Sequence, residues 1–103
     1  MKVVFAGTPD FAAGHLRALL SSHHEISAVI CQPDKPGKRG NQQVAGPVKK
    51  LATAAGLSIL QPKKLVISDL TDLDFDLLVV VAYGQILSAD ILKYPRFGCI
   101  NVH

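Results

Sequence analysis

Asn101 and His103 stand two apart in the closing Asn-Val-His of the sequence, and no other polar pair in it is better placed for chemistry. Side chains at i and i+2 of a β-strand share a face. If Cys99 to His103 is a strand, this amide and imidazole reach toward one point while Ile100 and Val102 pack on the other side. In open α/β sheets ligands bind in the crevice outside the carboxyl ends of the strands. Both residues are therefore expected to be catalytic and to converge on one substrate. A chain that stops on such a histidine reads as the first part of a longer one.

The elements that must position this pair are legible as an alternation. Lys2 to Ala6 is a short apolar β-rich run closed by Gly7, and Thr8-Pro9-Asp10 then offers an N-cap, a first-turn proline and a first-turn carboxylate. A helix from Pro9 to Ser21 follows, with Phe11, Ala12, His15, Leu16, Leu19 and Leu20 forming one apolar stripe. Ile26 to Cys31 is the second strand. Pro47 opens a second helix through Ala55, with Gly56 at C′, and Leu57 to Leu60 is the third strand. Residues 62–76 carry no clear period. Leu77 to Ala82, LLVVVA, has the continuous apolar character of a central parallel strand buried on both faces. Ser88 caps a short helix through Tyr94, Pro95 stops it, and Cys99 to His103 is the fifth strand. The expected fold class is α/β: a Rossmann-like open, mostly parallel sheet with helices on both faces, stopping after the fifth strand, with no internal domain boundary. A sheet that stopped there would expose an edge and self-associate through it.

The hydrophobic fraction of 49% excludes a disordered tail and suits a Val/Ile/Leu/Ala core. The net charge of +3 matters through its distribution, because Lys35, Lys38, Arg39, Lys49 and Lys50 fall close together as a local basic patch. Three of these lie in the long polar stretch from Gln32 to Ala45, interrupted by Pro33, Pro36, Gly37 and Gly40, which reads as an exposed loop of the length that is usually functional. Gly7-Thr8-Pro9-Asp10 sits where an anion could meet a helix N-terminus. It is not a dinucleotide fingerprint, however, and Asp10 would stand where a pyrophosphate should. Turn-and-cap chemistry and an anion site stay open there. Cys31 and Cys99, each in an apolar strand without Cys-x-x-Cys spacing, are expected to be buried reduced thiols, and His15, His23 and His24 to be structural, with no metal bound. The first apolar run is too short for a signal peptide or a membrane span, so the expected location is cytoplasmic and no membrane partner is expected.

Four strings taken together carry a resemblance: GTPDFA near the start, QPDKPGKRG after the second strand, VVVAYGQIL and GCINVH. They are similar to the N-terminal part of the 10-formyltetrahydrofolate-dependent formyltransferase family, over essentially the whole chain. The combination of GTPDFA, QPD and a basic loop resembles the members that formylate methionyl initiator tRNA. The resemblance implies a catalytic Asn, His and Asp around the formyl group, of which Asn101 and His103 match the first two. The Asp, and a Ser-Leu-Leu-Pro loop that helps hold the folate, belong in relatives to a later segment, so this stretch alone is expected to be inactive. Gln85, Ile86 and Leu87 match the loop that lines the pterin pocket of the cosubstrate 10-formyltetrahydrofolate. Lys35, Lys38 and Arg39 match an insertion that contacts the tRNA acceptor end, with Arg39 as its key arginine. Relatives carry further lysines where this sequence has Asn41, Gln42 and Gln43. The whole enzyme would be a monomer.

The chemistry implied is transfer of a formyl group from N10 of the folate to the methionyl amino group through a tetrahedral intermediate. Asn101 and a protonated His103 would face its oxyanion, and His103 would shuttle protons. Neither a metal nor a covalent enzyme intermediate is required. Two other readings are a sugar-nucleotide or glycinamide ribonucleotide formyltransferase, which share the Asn-x-His strand, and a non-catalytic Rossmann module that binds nucleotide or RNA.

Overall fold

The computed structural model of the chain describes residues 1–36 and 43–102, so the expectations placed on Lys38, Arg39 and His103 lie outside the described residues. The elements are β1 (Lys2–Gly7), α1 (Asp10–Leu20), β2 (Glu25–Ile30), β3 (Lys35–Pro36), β4 (Gln43–Val44), α2 (Pro47–Ala54), β5 (Ile59–Leu60), a 3₁₀ turn (Ile67–Asp69), β6 (Leu77–Val81), α3 (Ala89–Lys93) and β7 (Cys99–Val102). Five strands form one sheet in the order β5-β2-β1-β6-β7, every neighbouring pair parallel. The chain thus steps outward from β1 through β2 to β5, crosses back, and adds β6 and β7 on the other side. The expected Rossmann-like architecture is what forms, and the reversal of direction lies between β1 and β6.

Parallel register explains why β1 and β6 read as unbroken apolar runs. Phe5 pairs with Val79 and Val29, and these point to a core completed by Ala12, Ala13 and Leu16 of α1 and by Val48 and Ala52 of α2. Val4 pairs with Leu78 and Ala28 and points to the opposite core, completed by Leu65, Leu70, Tyr83 and Ile91. A strand covered on both faces must be apolar at every position. Phe5, Val4, Leu78 and Val81 are fully buried, and burying each such side chain contributes about 1.5–3 kcal/mol.

Helix ends follow the sequence in two places and depart from it in one. Ser88 caps α3 by accepting a hydrogen bond from the Ile91 amide at 3.3 Å. Gly56, with φ at +73°, ends α2 just past Ala55, which is the left-handed conformation glycine adopts without a Cβ penalty. The expected cap at Thr8 does not form: α1 starts from Pro9 with no side-chain cap, because the Thr8 hydroxyl is used elsewhere. Phe11 is also misplaced by the stripe reading. It is 51% exposed and stacks edge-on against His15 at 4.6 Å, since the smaller Ala12 and Ala13 are the residues that let α1 approach the sheet.

Two further corrections concern the loops and a thiol. The stretch read as a simple loop carries an antiparallel ribbon, β3 with β4, pairing Lys35 with Val44. Cys31 is buried as expected, but Cys99 is only half-buried, because β7 is the edge strand. Residues 62–76 form turns around the 3₁₀ segment and send Leu65 and Leu70 into the core. That segment covers a face with irregular backbone, which periodicity does not reveal.

Candidate functional site at the carboxyl edge of the sheet

All five parallel strands end on one edge, and the residues just past those ends meet there. Gly7 closes β1 in a space no side chain could share: a Cβ would lie 2.6 Å from the Val81 carbonyl oxygen and 2.7 Å from Ala12 Cβ. Glycine is demanded by helix–sheet packing, and the anion alternative gains no support from it. The Thr8 hydroxyl donates to the Tyr83 carbonyl at 2.9 Å and accepts from the Gln32 amide at 3.3 Å. One side chain thereby ties the ends of β1, β2 and β6 across the point where strand order reverses.

Past β6 the backbone turns sharply. Ala82 has φ +48° and Gly84 φ +97°. A left-handed non-glycine residue costs roughly 1–2 kcal/mol and persists where its surroundings over-determine it, commonly at functional sites. The surroundings here are polar. The Gln85 side-chain amide nitrogen, which has two hydrogens to donate, lies 2.8 Å from Gln32 Oε1, 3.0 Å from the Lys63 carbonyl oxygen and 3.3 Å from that of Pro62. Gln85 Oε1 accepts from the Leu65 amide at 3.0 Å. Gln85 thus spends its side chain holding residues 62–65. Ile86 beside it is fully exposed, whereas Leu87 packs against the core.

The same network continues toward the ribbon. The Gln61 side chain donates to the Gln32 carbonyl at 3.2 Å and to Asp34 Oδ1 at 2.7 Å, and Lys49 Nζ meets Asp34 Oδ2 at 2.7 Å. The hydrogen bond from Lys49, then that from Gln61, holds the Asp34 carboxyl below its ordinary value. Lys49 is therefore an ion-pair partner of Asp34 and not a spare cation of the basic patch. Lys35 is exposed on β3, and Lys50 is exposed on α2. Between the ribbon and the helix N-termini lies a cavity of about 480 Å³ lined by Thr8, Pro9, Cys31, Pro33, Val44 and Pro47, with Lys35 and Lys49 also on its wall. Burial pushes the Cys31 thiol up.

Asn101 sits on β7 in register with Val80, and it is exposed. Cys99 and Asn101 lie on the side of the sheet that carries Leu78 and Val80, and Val102 packs on the other side, against the α1 and α2 core. Ile100 faces that side too but is 50% exposed. In the register with β6, Asn101 stands opposite Val80, two residues before the chain enters the 82–87 turn. The structure thus brings Asn101, Gln85, Ile86 and Leu87 to one edge, and the ribbon bearing Lys35 stands farther along that edge, at the end of β2. Asn101 offers an N–H donor and a carbonyl acceptor, and an amide donor at a strand end suits stabilisation of developing negative charge.

The residues that sequence reasoning left unassigned are Gln32, Gln61 and Asp34. Gln32 and Gln61 each follow directly on an apolar strand, which is the signal that could have placed them at this edge. Among the described residues no three His, Cys, Asp or Glu side chains gather as they would around a metal ion, and no helix is long and apolar enough to cross a membrane. A family model described as Formyl transferase matches residues 1–103.

Proposed function

The chain belongs to the formyl transferase family, and on that premise we propose that it takes part in transferring a formyl group from 10-formyltetrahydrofolate to the amino group of methionyl initiator tRNA. The observation that carries the choice of acceptor is the ribbon. An exposed Lys35 is planted on β3 at the edge of the sheet where Asn101 and the 82–87 turn also emerge. Lys38 and Arg39, between β3 and β4 in sequence, add two more cations. Clustered cations suit a polyanion, and the guanidinium of Arg39 suits phosphate and stacked bases.

In this reading the turn at Gln85, Ile86 and Leu87 holds the folate, with the backbone and the apolar side chains making the contacts. The methionyl amine attacks the formyl carbon and a C–N bond forms. The tetrahedral oxyanion takes a hydrogen bond from the Asn101 amide and from His103. The bond to N10 then breaks, the amine has lost a proton, and N10 has gained one. His103 carries that proton. No step uses a metal or an enzyme nucleophile.

The test is an acceptor panel with the full-length gene product, supplied with 10-formyltetrahydrofolate and either methionyl initiator tRNA, an amino-sugar nucleotide or glycinamide ribonucleotide. Formylation of the charged tRNA alone is expected; transfer to either small amine instead would overturn the choice of acceptor. Lys35→Ala should weaken tRNA binding and flatten the dependence of log K on log salt by about 0.7–0.9, the slope carried by one phosphate contact. An unchanged slope counts against the ribbon.

A further inference from the structure

We infer that Gln32 is a positioning residue that sets the 82–87 turn against the end of β2, a role that rests on the reading of that turn as the donor site. Gln32 reaches the turn at two places, through Thr8 at Tyr83 and directly at Gln85. Its backbone amide donates to Thr8, whose hydroxyl donates to the Tyr83 carbonyl, and its side-chain oxygen accepts from Gln85 at 2.8 Å. Between those anchors it lies against Gly84, where a Cβ would come within 2.9 Å of Gln32 Nε2. The left-handed Gly84 is thus bracketed, between Tyr83 and Gln85, by one residue from the end of β2, two strands away from β6 in the sheet.

Gln32 also begins the segment that rises into the ribbon, and its carbonyl accepts from Gln61, which in turn holds Asp34. The donor-side turn and the base of the ribbon that carries Lys35 therefore share one anchor. Nothing in the acyl transfer itself needs this side chain, so its effect is confined to where the turn sits. Removing the Gln32 acceptor leaves Gln85 its bonds to Lys63 and Pro62. No buried donor is orphaned, and the fold survives the change.

Gln32→Met keeps the bulk against Gly84 and loses the acceptor, whereas Gln32→Glu keeps an acceptor oxygen. Amide hydrogen exchange of the free full-length protein reads the turn without any substrate, and the KM for 10-formyltetrahydrofolate reads its use. Gln32→Met should speed exchange across residues 83–87 and raise the donor KM about three- to tenfold, the factor one neutral hydrogen bond carries. In Gln32→Glu both readouts should return toward wild type, and kcat should change less than KM throughout. Unchanged exchange in Gln32→Met overturns the positioning role whatever the substrate proves to be. Faster exchange with an unchanged donor KM overturns the link to donor binding. A wild-type protein that does not use this donor contradicts the proposed function, and the exchange rates alone then decide whether Gln32 positions the turn.

Discussion

Tyr83 is 2% exposed, yet among the described residues its hydroxyl has no hydrogen-bond partner. Burial, with smaller contributions from Cys31 and Asp69, pushes its phenol up to about 12. An unsatisfied buried hydroxyl costs about 1–3 kcal/mol, so Tyr83→Phe should leave stability unchanged or raise it by about 1 kcal/mol, read as a shift in urea midpoint. Because the folded phenol ionises later than the unfolded one, whose ordinary value is 10.0, wild-type stability should fall between about pH 10 and 12. The variant should lack that decline. Asp34 has the opposite sign. Its folded carboxyl is held below the ordinary 3.8 by Lys49 and Gln61, so its contribution is present above that value and disappears as pH falls through the folded pKa. The midpoint difference between wild type and Asp34→Asn should therefore be full at pH 6 and shrink below pH 3.8.

At the scale of elements, the contact between β1, α1 and β6 is the most demanding. Gly7→Ala would drive a Cβ into the Val81 carbonyl and Ala12, neither of which is the flexible end of a side chain. Overpacking of this kind costs about 1–3 kcal/mol, and thermal denaturation should show the loss. A Gly7→Ala protein as stable as wild type would mean that the helix can slide away without penalty. The five strands of the parallel sheet and α1, α2 and α3 were legible because alternation, capping residues and prolines act locally. Residues 62–76 and the β3–β4 ribbon were not, since neither has a period and both are fixed by distant partners. Thr8 shows the limit most clearly. Its type and place before Pro9 fit a helix cap, but a carbonyl 75 residues away takes its hydroxyl. Gln32 and Gln85 are likewise 53 residues apart, a separation at which sequence reports residue types and not partners.

For the molecule as a whole, the sheet sorts its residues by end. The carboxyl edge carries the polar network, the strained turn, the cavity of about 480 Å³ and Asn101, and Lys35 of the ribbon stands at its β2 end. The candidate catalytic amide was legible because its position depends only on strand parity, which the register with Val80 matches; His103 lies outside the described residues. The 82–87 turn follows directly on β6, the strand next to β7. The central claim is that this edge is a formyl-transfer centre in which Asn101 faces the oxyanion. Its most direct test is the steady-state rate of formyl transfer to methionyl initiator tRNA by the full-length Asn101→Ala protein. Loss of one such donor predicts a kcat lowered about 100- to 1,000-fold with an unchanged urea midpoint, and a kcat near that of wild type would contradict the account.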